Sequence, residues 1–260
     1  MTRARDRQRY SGTGTWGIWG IGVRLDRVLV ARGLARSRGQ AAELVKAGLV
    51  RVDGAVAGKV ALDVADGARV EAVGDPYVSR AAHKLLAGLD ESGTAVPPRV
   101  LDAGASTGGF TQVCLERGAE RVYAVDVGHG QLADPLRADP RVTVWEGLNL
   151  RDLTLEHVDG VPVGLIVGDV SFISLTQLVG ALAGVLAPGG TALLLVKPQF
   201  EVGRAKLGGS GVVTSERDRA DAVAGVVAAG EGVGWTCDWR GVSRTPGMRG
   251  NVEFFVRFRG

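Results

Sequence analysis

Two lysines and two carboxylates are placed where they could act together on a hydroxyl group. Asp169 and Lys197 follow two consecutive apolar segments of strand length, and Lys84 and Glu253 lie on elements before and after them. A lysine ammonium can orient a hydroxyl and stabilise negative charge on its oxygen, and a lysine with a lowered pKa can remove the proton. Neighbouring carboxylates fix the direction of the lysine and tune its charge. The pattern indicates activation of a weak hydroxyl nucleophile.

Three of these positions also admit a structural explanation. Lys84 could be a surface lysine on an amphipathic helix, and Asp169 could cap the helix that follows it. Glu253 lies between apolar residues on the last predicted strand and would face inward, and a buried acid usually has a partner. Lys197, at a strand end before a proline, is harder to explain by stability alone.

A glycine-rich turn connects the first strand of this region to a helix. Residues 100–111 read Val-Leu-Asp-Ala-Gly-Ala-Ser-Thr-Gly-Gly-Phe-Thr, and glycines at such a turn let the backbone approach a ligand. The sequence of this turn differs from the G-x-G-x-x-G motif of dinucleotide-binding enzymes, because an acid precedes the first glycine and Gly108-Gly109 follow. The turn is therefore predicted to hold a nucleoside cofactor.

Two polar residues extend this predicted cofactor site. Asp126 ends the second strand, where a carboxylate can accept both ribose hydroxyls, and Asn149 follows the third strand, where it could bind an adenine amino group. These features favour S-adenosylmethionine over NAD, while a ligand-free turn stays the structural alternative. The residues predicted to bind the cofactor are Asp102, Gly104, Ser106, Gly108, Gly109, Phe110, Asp126 and Asn149.

Strand and helix patterns alternate from Arg99 to the end of the chain, which predicts an α/β domain with a seven-stranded, mostly parallel sheet. The predicted strands are 100–103, 122–126, 142–145, 163–167, 192–196, 233–238 and 252–258. The predicted helices are 79–89, 109–117, 131–137, 175–186 and 217–229. In such sheets ligands bind beyond the carboxyl ends of the strands, where Asp169 and Lys197 are placed.

A smaller α+β unit precedes this domain. Two short helices, the second capped by Ser37, lead into a hairpin with an Asp53-Gly54 turn and a further strand. Basic residues concentrate on its helices, which suits a phosphate backbone, although a solvated helix face has the same composition. The residues predicted to bind RNA here are Arg24, Arg27, Arg36, Arg38 and Lys46. Arg204 and Lys206, in a glycine-rich loop of the larger domain, are added to them, with a solvated connector as the alternative.

The composition bounds the class of protein. The chain has 260 residues, of which 45% are hydrophobic and 23% are charged, so it can form a sizeable core. Its two cysteines are far apart and its three histidines have no metal-ligand spacing, which predicts no metal site and a reducing, cytoplasmic environment. No apolar run has the roughly 18 residues of a membrane span, so no membrane association is expected. The basic, glycine-rich residues 1–22 are interpreted as a disordered tail.

The small unit resembles the S4 RNA-binding domain. The matching residues are Arg24-Leu25-Asp26, the Arg36-Ser37-Arg38 corner, Ala47-Gly48-Leu49-Val50 and Val52-Asp53-Gly54. This resemblance implies binding to structured RNA but no particular reaction, because the domain also occurs on pseudouridine synthases. The predicted divisions are a tail over 1–22, an S4-like domain over 23–75, a connector with a leading helix over 76–98, and a catalytic domain over 99–260.

From Val23 onward the chain resembles the TlyA family, whose catalytic domain is similar to the FtsJ-like 2′-O-methyltransferases. Tyr-Val-Ser-Arg before Lys84, Gly-Gly-Phe-Thr in the cofactor turn and Lys-Pro-Gln-Phe-Glu after the fifth strand carry the resemblance. It implies a Rossmann-like class I methyltransferase fold, with Lys84, Asp169, Lys197 and Glu253 as a catalytic tetrad. It also implies S-adenosylmethionine as cofactor and cytidine riboses of ribosomal RNA in the ribosomal subunits as substrate. Some members modify only the large subunit, and both possibilities stay open.

Three alternatives compete with this interpretation. A non-catalytic RNA-binding or ribosome assembly factor would have lost part of the tetrad or of the glycine turn, whereas all these positions are filled. A cytolysin is considered because members of the TlyA family have been labelled haemolysins, but no apolar segment suits pore formation. An amino methyltransferase would have Asn/Asp-Pro-Pro-Tyr/Phe after the fourth strand, where this chain has Asp169-Val170-Ser171-Phe172.

Phe172 is expected to pack in the core, with stacking on a base as the alternative.

Overall fold

The computed structural model describes residues 22–35, 37–72, 75–203, 207 and 211–260. The chain divides into two compact units, Met1–Pro76 and Tyr77–Gly260. The tail predicted over 1–22 lies outside the described residues, except for Gly22. The domain boundaries given above stay a prediction.

In the first unit, two helices pack on small antiparallel sheets. Helix α2 is capped by Ser37, whose hydroxyl accepts a hydrogen bond from the Gln40 backbone N–H at 3.2 Å. Asp53 and Gly54 both have positive φ, of 49° and 84°, as a two-residue hairpin turn requires. The elements are β1 (Val23–Arg24), α1 (Leu25–Ala31), α2 (Arg38–Lys46), β2 (Val50–Val52), β3 (Ala55–Val56), β4 (Asp63–Val64) and β5 (Val70–Ala72). Strand β2 pairs with β3 and β5, and β1 pairs with β4, all antiparallel.

The second unit is a seven-stranded α/β sheet, as predicted. Its strands are β6 (Arg99–Ala103), β7 (Arg121–Asp126), β8 (Val142–Glu146), β9 (Val163–Gly168), β10 (Leu186–Val196), β11 (Thr236–Val242) and β12 (Phe254–Arg259). The strand order is β11-β12-β10-β9-β6-β7-β8. Strand β12 runs antiparallel to both of its neighbours, and the other pairings are parallel.

Helices cover both faces of this sheet. They are α3 (Ala81–Ser92), α4 (Gly109–Glu116), α5 (Asp134–Arg137), α6 (Val179–Ala183), α7 (Pro198–Glu201) and α8 (Glu216–Gly232). Neighbouring strand residues alternate between two cores. Leu101, Ile166 and Leu194 belong to one of them, and Val100, Leu165 and Leu193 to the other. Burial of both faces explains why the central strands are continuous apolar runs.

Several predicted bounds differ from those in the structure, and two helices and one strand differ for reasons that the structure shows. Helix α5 begins only at Asp134, because Pro135 suits the first turn of a helix and not its interior. The helix predicted over 175–186 is a 3₁₀ turn (Leu175–Gln177) followed by the short α6. Strand β10 begins at Leu186 and has a register shift before Thr191, where Gly189 has a φ of 72°.

The strand order determines where a ligand can bind. The chain passes from β6 to β7 on one side and returns to β9 on the other side of β6. A crevice forms at this switch point, beyond the carboxyl ends of the two strands. The Asp169 backbone N–H donates to the Ala103 carbonyl at 3.1 Å, which places Asp169 directly beside the glycine-rich turn.

Candidate active site

The four predicted catalytic residues converge on one cluster, although they come from four parts of the sequence. The Lys84 ammonium donates to Glu253 Oε2 at 2.6 Å and lies 3.9 Å from Asp169 Oδ2. The Lys197 ammonium lies 2.5 Å from Asp169 Oδ1. Positive and negative groups therefore alternate from Glu253 to Lys197, and each carboxylate has a lysine partner.

The burial of Lys84 and the start of the helical turn after Asp169 decide against two of the structural alternatives. Lys84 is 5% exposed, so it is not a surface lysine. Asp169 does not cap a helix, because the next helical turn begins at Leu175 and is capped by the Ser174 side chain. Glu253 is 2% exposed but directly precedes β12 instead of lying within it. Its carbonyl accepts from the Ser243 backbone N–H at 2.9 Å, so its position is still fixed by the adjoining chain.

Lys197 has a second polar partner that the sequence did not indicate. Its ammonium donates to Ser171 Oγ at 2.8 Å in addition to the ion pair with Asp169. Both partners belong to the loop after β9, and Lys197 directly follows β10. The spacing of Ser171, two residues after Asp169, was the available signal.

A cleft of about 550 Å³ opens over this cluster. All four charged residues line it, together with Gly104, Ser106, Gly109 and Phe110 of the glycine-rich turn. The predicted catalytic residues and part of the predicted cofactor site therefore face the same space. Gly108, Asp102, Asp126 and Asn149 are outside this lining.

The glycines of the turn are required by protein neighbours as well as by backbone conformation. Gly104 has a φ of 86°, and a Cβ there would lie 3.1 Å from the Asp169 carbonyl oxygen. Gly108 has a φ of 94°, and a side chain would collide with Leu136. A Cβ at Gly109 would lie 2.9 Å from the Ala82 backbone nitrogen. The turn thus fits closely between α3, α5 and the loop that carries Asp169.

The two residues predicted to bind the nucleoside lie beside this turn. Asp126 accepts the Ser106 backbone N–H at 2.8 Å and the Gly128 backbone N–H at 2.7 Å, one on each carboxylate oxygen. A carboxylate oxygen has a further lone pair, so Asp126 can still accept ribose hydroxyls. Asn149 is exposed, and its side chain accepts from the Arg151 backbone N–H at 3.1 Å.

Asp102 has a different environment from the other acids. It is fully buried in β6, and the Thr111 hydroxyl donates to its Oδ2 at 2.6 Å. Its Oδ1 has no hydrogen-bond partner among the described residues. Burial raises the pKa of this carboxyl to about 7, against the opposing hydrogen bond from Thr111. Asp102 therefore contacts helix α4 beneath the turn and does not face the cleft.

Phe172 contradicts the expectation that it packs in the core. Its side chain is 89% exposed and its φ is 67°, which is unusual for a large residue. The ring lies 5.3 Å from the Phe200 ring, centroid to centroid, and both line the cleft. An exposed aromatic in a left-handed backbone conformation beside an active-site cleft is a feature that stability does not explain.

Two of the basic residues of the first unit converge on one buried acid. Asp26 is 2% exposed, and the Arg24 and Arg38 guanidiniums donate to its carboxylate at 3.1 and 2.9 Å. These hydrogen bonds, first from Arg24 and then from Arg38, hold the pKa of Asp26 well below its usual range. Arg27 and Lys46 are exposed, and Arg36, Arg204 and Lys206 lie outside the described residues.

Comparison with known proteins identifies the fold family. The model of the FtsJ-like methyltransferase family matches residues 77–259, and that of the S4 domain matches residues 23–70. The chain belongs to the FtsJ-like methyltransferase family. The sequence resemblances to this family and to the S4 domain are thereby confirmed, and so is the methyltransferase class of the α/β fold.

Relatives of this FtsJ-like methyltransferase extend the comparison over nearly the whole chain. It is 50% identical over 241 residues to the 16S/23S rRNA (cytidine-2′-O)-methyltransferase TlyA of Mycobacterium tuberculosis, covering 91% of this chain and 90% of that protein. It is 36% identical over 195 residues to the 23S rRNA (cytidine-2′-O)-methyltransferase TlyA of Campylobacter jejuni, covering 74% and 75%. A solved Streptococcus thermophilus structure named as a hemolysin has a TM-score of 0.72 at 36% identity, covering 92% and 88%.

Within the described residues, no helix combines the length and apolar character that crossing a membrane requires.

Proposed function

We propose that this methyltransferase transfers a methyl group from S-adenosylmethionine to the 2′-hydroxyl of a cytidine ribose in ribosomal RNA. The observation that carries the proposal is the ion-pair cluster of Lys84, Asp169, Lys197 and Glu253 in the cleft, in which both lysines and Glu253 are buried. The relatives named as rRNA cytidine-2′-O-methyltransferases support it. The filled tetrad disfavours a non-catalytic assembly factor.

The cluster suits activation of a hydroxyl whose proton is tightly held. An ammonium has three donors, and Lys197 donates one of them to Ser171 while it also forms an ion pair with Asp169. A remaining N–H can donate to the substrate hydroxyl oxygen and stabilise its developing negative charge while the hydroxyl proton passes to water. Asp169 lies between both lysines and fixes their separation, while Glu253 holds Lys84. The cofactor supplies the methyl group as an electrophilic sulfonium.

The glycine-rich turn and Asp126 would hold this cofactor. Gly104, Ser106, Gly109 and Phe110 line the same cleft as the tetrad, which suits a donor that must meet the hydroxyl. Asp126 keeps lone pairs for ribose hydroxyls. Asn149 is proposed to bind the adenine. Gly108 and Asp102 do not line the cleft and are proposed to fix the conformation of the glycine-rich turn.

RNA would be held at two further places. The exposed cations Arg24, Arg27, Arg38 and Lys46 of the S4 domain suit backbone phosphates. In the cleft, Phe172 with its neighbour Phe200 offers an aromatic surface for the base of the target nucleotide. Single-stranded and flipped bases commonly stack on such side chains. Arg36, Arg204 and Lys206 stay predicted phosphate contacts.

The deciding experiment measures tritium transfer from labelled S-adenosylmethionine to purified 30S and 50S subunits. The wild type should label rRNA at an alkali-resistant dinucleotide, because 2′-O-methylation removes the hydroxyl that alkaline cleavage needs. Lys197→Ala should lower the rate by about a hundredfold to a thousandfold, the usual cost of losing a donor that stabilises developing negative charge. Arg240→Ala, which removes an exposed cation on β11, is the control and should keep full activity.

The two subunits are tested separately because the relatives named above differ in whether their names include 16S rRNA. Label in either subunit supports the proposed function and identifies the target. Wild-type protein that binds S-adenosylmethionine but labels neither subunit would contradict it. Equal labelling by wild type and Lys197→Ala would refute the role of the tetrad.

A further inference from the structure

A carboxylate outside the tetrad joins the two segments that carry its central residues. Glu201 Oε2 accepts the Ser174 hydroxyl at 2.5 Å, and Glu201 Oε1 accepts the Leu175 backbone N–H at 2.9 Å. Both oxygens of one side chain are therefore engaged by one short stretch of chain. We call this arrangement the carboxylate clamp, consisting of Glu201, Ser174 and Leu175.

The clamp lies at the far ends of the two catalytic segments. Glu201 is the last residue of α7, whose first residue directly follows Lys197. Ser174 ends the loop that begins at Asp169 and includes Ser171. Every contact of Lys197 with Asp169 and Ser171 is thus made between two segments that the clamp joins a few residues away. A shift of one segment against the other would change these distances directly.

The aromatic pair in the cleft bridges the same two segments. Phe172 belongs to the loop after β9 and Phe200 to α7, and their ring centroids are 5.3 Å apart. Phe172 also holds a φ of 67°, which is costly for a side chain with a Cβ and persists only when surrounding contacts fix the backbone. The clamp is two residues from Phe172 on one segment and one residue from Phe200 on the other.

The clamp places a partly buried carboxylate beside a turn that already has a side-chain cap. Burial raises the pKa of Glu201, and the hydrogen bonds from Ser174 and Leu175 offset part of this rise. Ser174 already caps the following 3₁₀ turn by accepting the Thr176 backbone N–H at 3.2 Å. The Glu201 carboxylate is therefore not needed as a cap for that turn. Its geometry suits the holding of two segments in register.

We propose that Glu201 is a positioning residue that fixes the loop with Asp169, Ser171 and Phe172 against Lys197 and Phe200. It touches neither cofactor nor substrate and acts through these residues. The inference rests on the proposed methyl transfer, which it deepens by assigning a residue that aligns the central lysine. Alignment within a fraction of an ångström is what the reaction rate depends on.

The test compares Glu201→Ala, Ser174→Ala and the double variant with wild type and with Glu231→Ala. Glu231 is an exposed carboxylate on α8 and controls for loss of one negative charge. The measured quantity is the single-turnover rate of methyl transfer at saturating rRNA and cofactor. Each rate is divided by the concentration of S-adenosylmethionine sites, so that misfolded protein does not lower it.

Glu201→Ala should lower this rate by about tenfold to a hundredfold, as misplacement of about 1 Å does. Its dissociation constant for S-adenosylmethionine should stay near that of wild type, since the glycine-rich turn is not part of the clamp. Ser174→Ala should have a smaller effect, and it also removes the cap of the 3₁₀ turn. The loss in the double variant should be smaller than the product of the two single losses, because both changes remove the Ser174–Glu201 hydrogen bond. Glu201→Gln should recover most of the rate, since an amide can accept from Leu175 and donate to Ser174.

Hydrogen exchange gives a second readout that needs no RNA. Glu201→Ala should speed exchange of the backbone amides of residues 170–175 and leave those of α4 unchanged. The clamp is refuted if Glu201→Ala exchanges like wild type in this loop. It is equally refuted if an active wild type and Glu201→Ala have equal rates, or if the losses of the two single variants add independently. An inactive wild type instead contradicts the proposed function, and the exchange result still decides on the clamp.

Discussion

Asp102 shows how one buried carboxyl can couple the cofactor turn to pH. The tetrad carboxylates each have a lysine within ion-pair distance, whereas the Thr111 hydroxyl is the only side-chain partner of Asp102 among the described residues. Without a cation, burial favours its neutral form and raises its pKa to about 7. The unfolded chain releases this proton near pH 4. Between these values the folded protein holds a proton that the unfolded chain does not.

The stability of the catalytic unit should therefore decrease as the pH rises through this range. Because unfolding releases a proton, the free energy of unfolding contributed by Asp102 falls between about pH 4 and pH 7, by roughly 2–4 kcal/mol. Asp102→Asn removes the titrating group and should flatten this part of the pH dependence. Urea unfolding of both proteins at pH 5 and pH 8 measures it. Asp221→Asn, an exposed change on α8, should keep the wild-type slope. A slope shared by all three proteins would mean that Asp102 is ionised when folded.

At the scale of elements, the sequence predicted what depends on local pattern and missed what depends on neighbours. The seven strands followed from apolar runs, because both sheet faces are buried. The break between Gln177 and Val179 and the early start of β10 depend on packing and sheet pairing, which no local window contains. The prediction that Phe172 packs in the core was wrong for the same reason. An aromatic next to a strand normally indicates core, and only the assembled loop shows its exposure.

The candidate site divides in a similar way. Asp169 and Lys197 were predicted because they follow recognisable strands, and Lys84 and Glu253 because they lie on the elements before and after them. The resemblance to the TlyA family joined the four as a tetrad, and the fold brings them together. Ser171 and Glu201 lie within the same motifs as Asp169 and Lys197, but no pattern singled them out as part of the site. Their roles come from hydrogen bonds across 26 residues in each case, to Lys197 and to Leu175. A single sequence without related sequences does not indicate contacts of this kind.

Asp26, in the first turn of helix α1, supports a prediction about RNA affinity that is opposite to what net charge alone predicts. Asp26→Asn makes the S4 domain more positive, so attraction to phosphates alone predicts tighter RNA binding. Asp26 also holds Arg24 and Arg38 side by side, however, and its loss frees both guanidiniums. We expect the variant to bind rRNA about tenfold more weakly, because preorganised guanidiniums give stronger charge-assisted contacts.

Glu43→Gln is the matched control for this change. It removes one negative charge from the same domain, but Glu43 pairs with Lys46 on the exposed surface at 3.2 Å. Such pairs contribute little, so its RNA affinity should stay equal or rise slightly. Fluorescence anisotropy with an rRNA fragment at fixed salt measures both, and circular dichroism checks that each variant is folded. Tighter binding by Asp26→Asn would show that the two arginines need no partner to bind RNA.

On the scale of the whole molecule, chemistry and RNA affinity are assigned to different units. The tetrad and every described residue that lines the cleft belong to Tyr77–Gly260, while Arg24, Arg27, Arg38 and Lys46 belong to Met1–Pro76. A protein made of residues 77–260 should thus bind S-adenosylmethionine as the full chain does. Its rate at saturating rRNA should also stay within a few-fold, because no group at the reacting atoms is lost.

The same truncated protein should need far more RNA to reach that rate. Loss of about four phosphate contacts should raise KM for rRNA by about a hundredfold at moderate salt and reduce the slope of log K against log salt by about 3. Steady-state methylation at several salt concentrations, beside cofactor binding by calorimetry, separates the two effects. An unchanged KM would assign RNA affinity to the catalytic unit. A lower rate at saturating rRNA, with cofactor binding intact, would show that the S4 domain takes part in positioning the target hydroxyl.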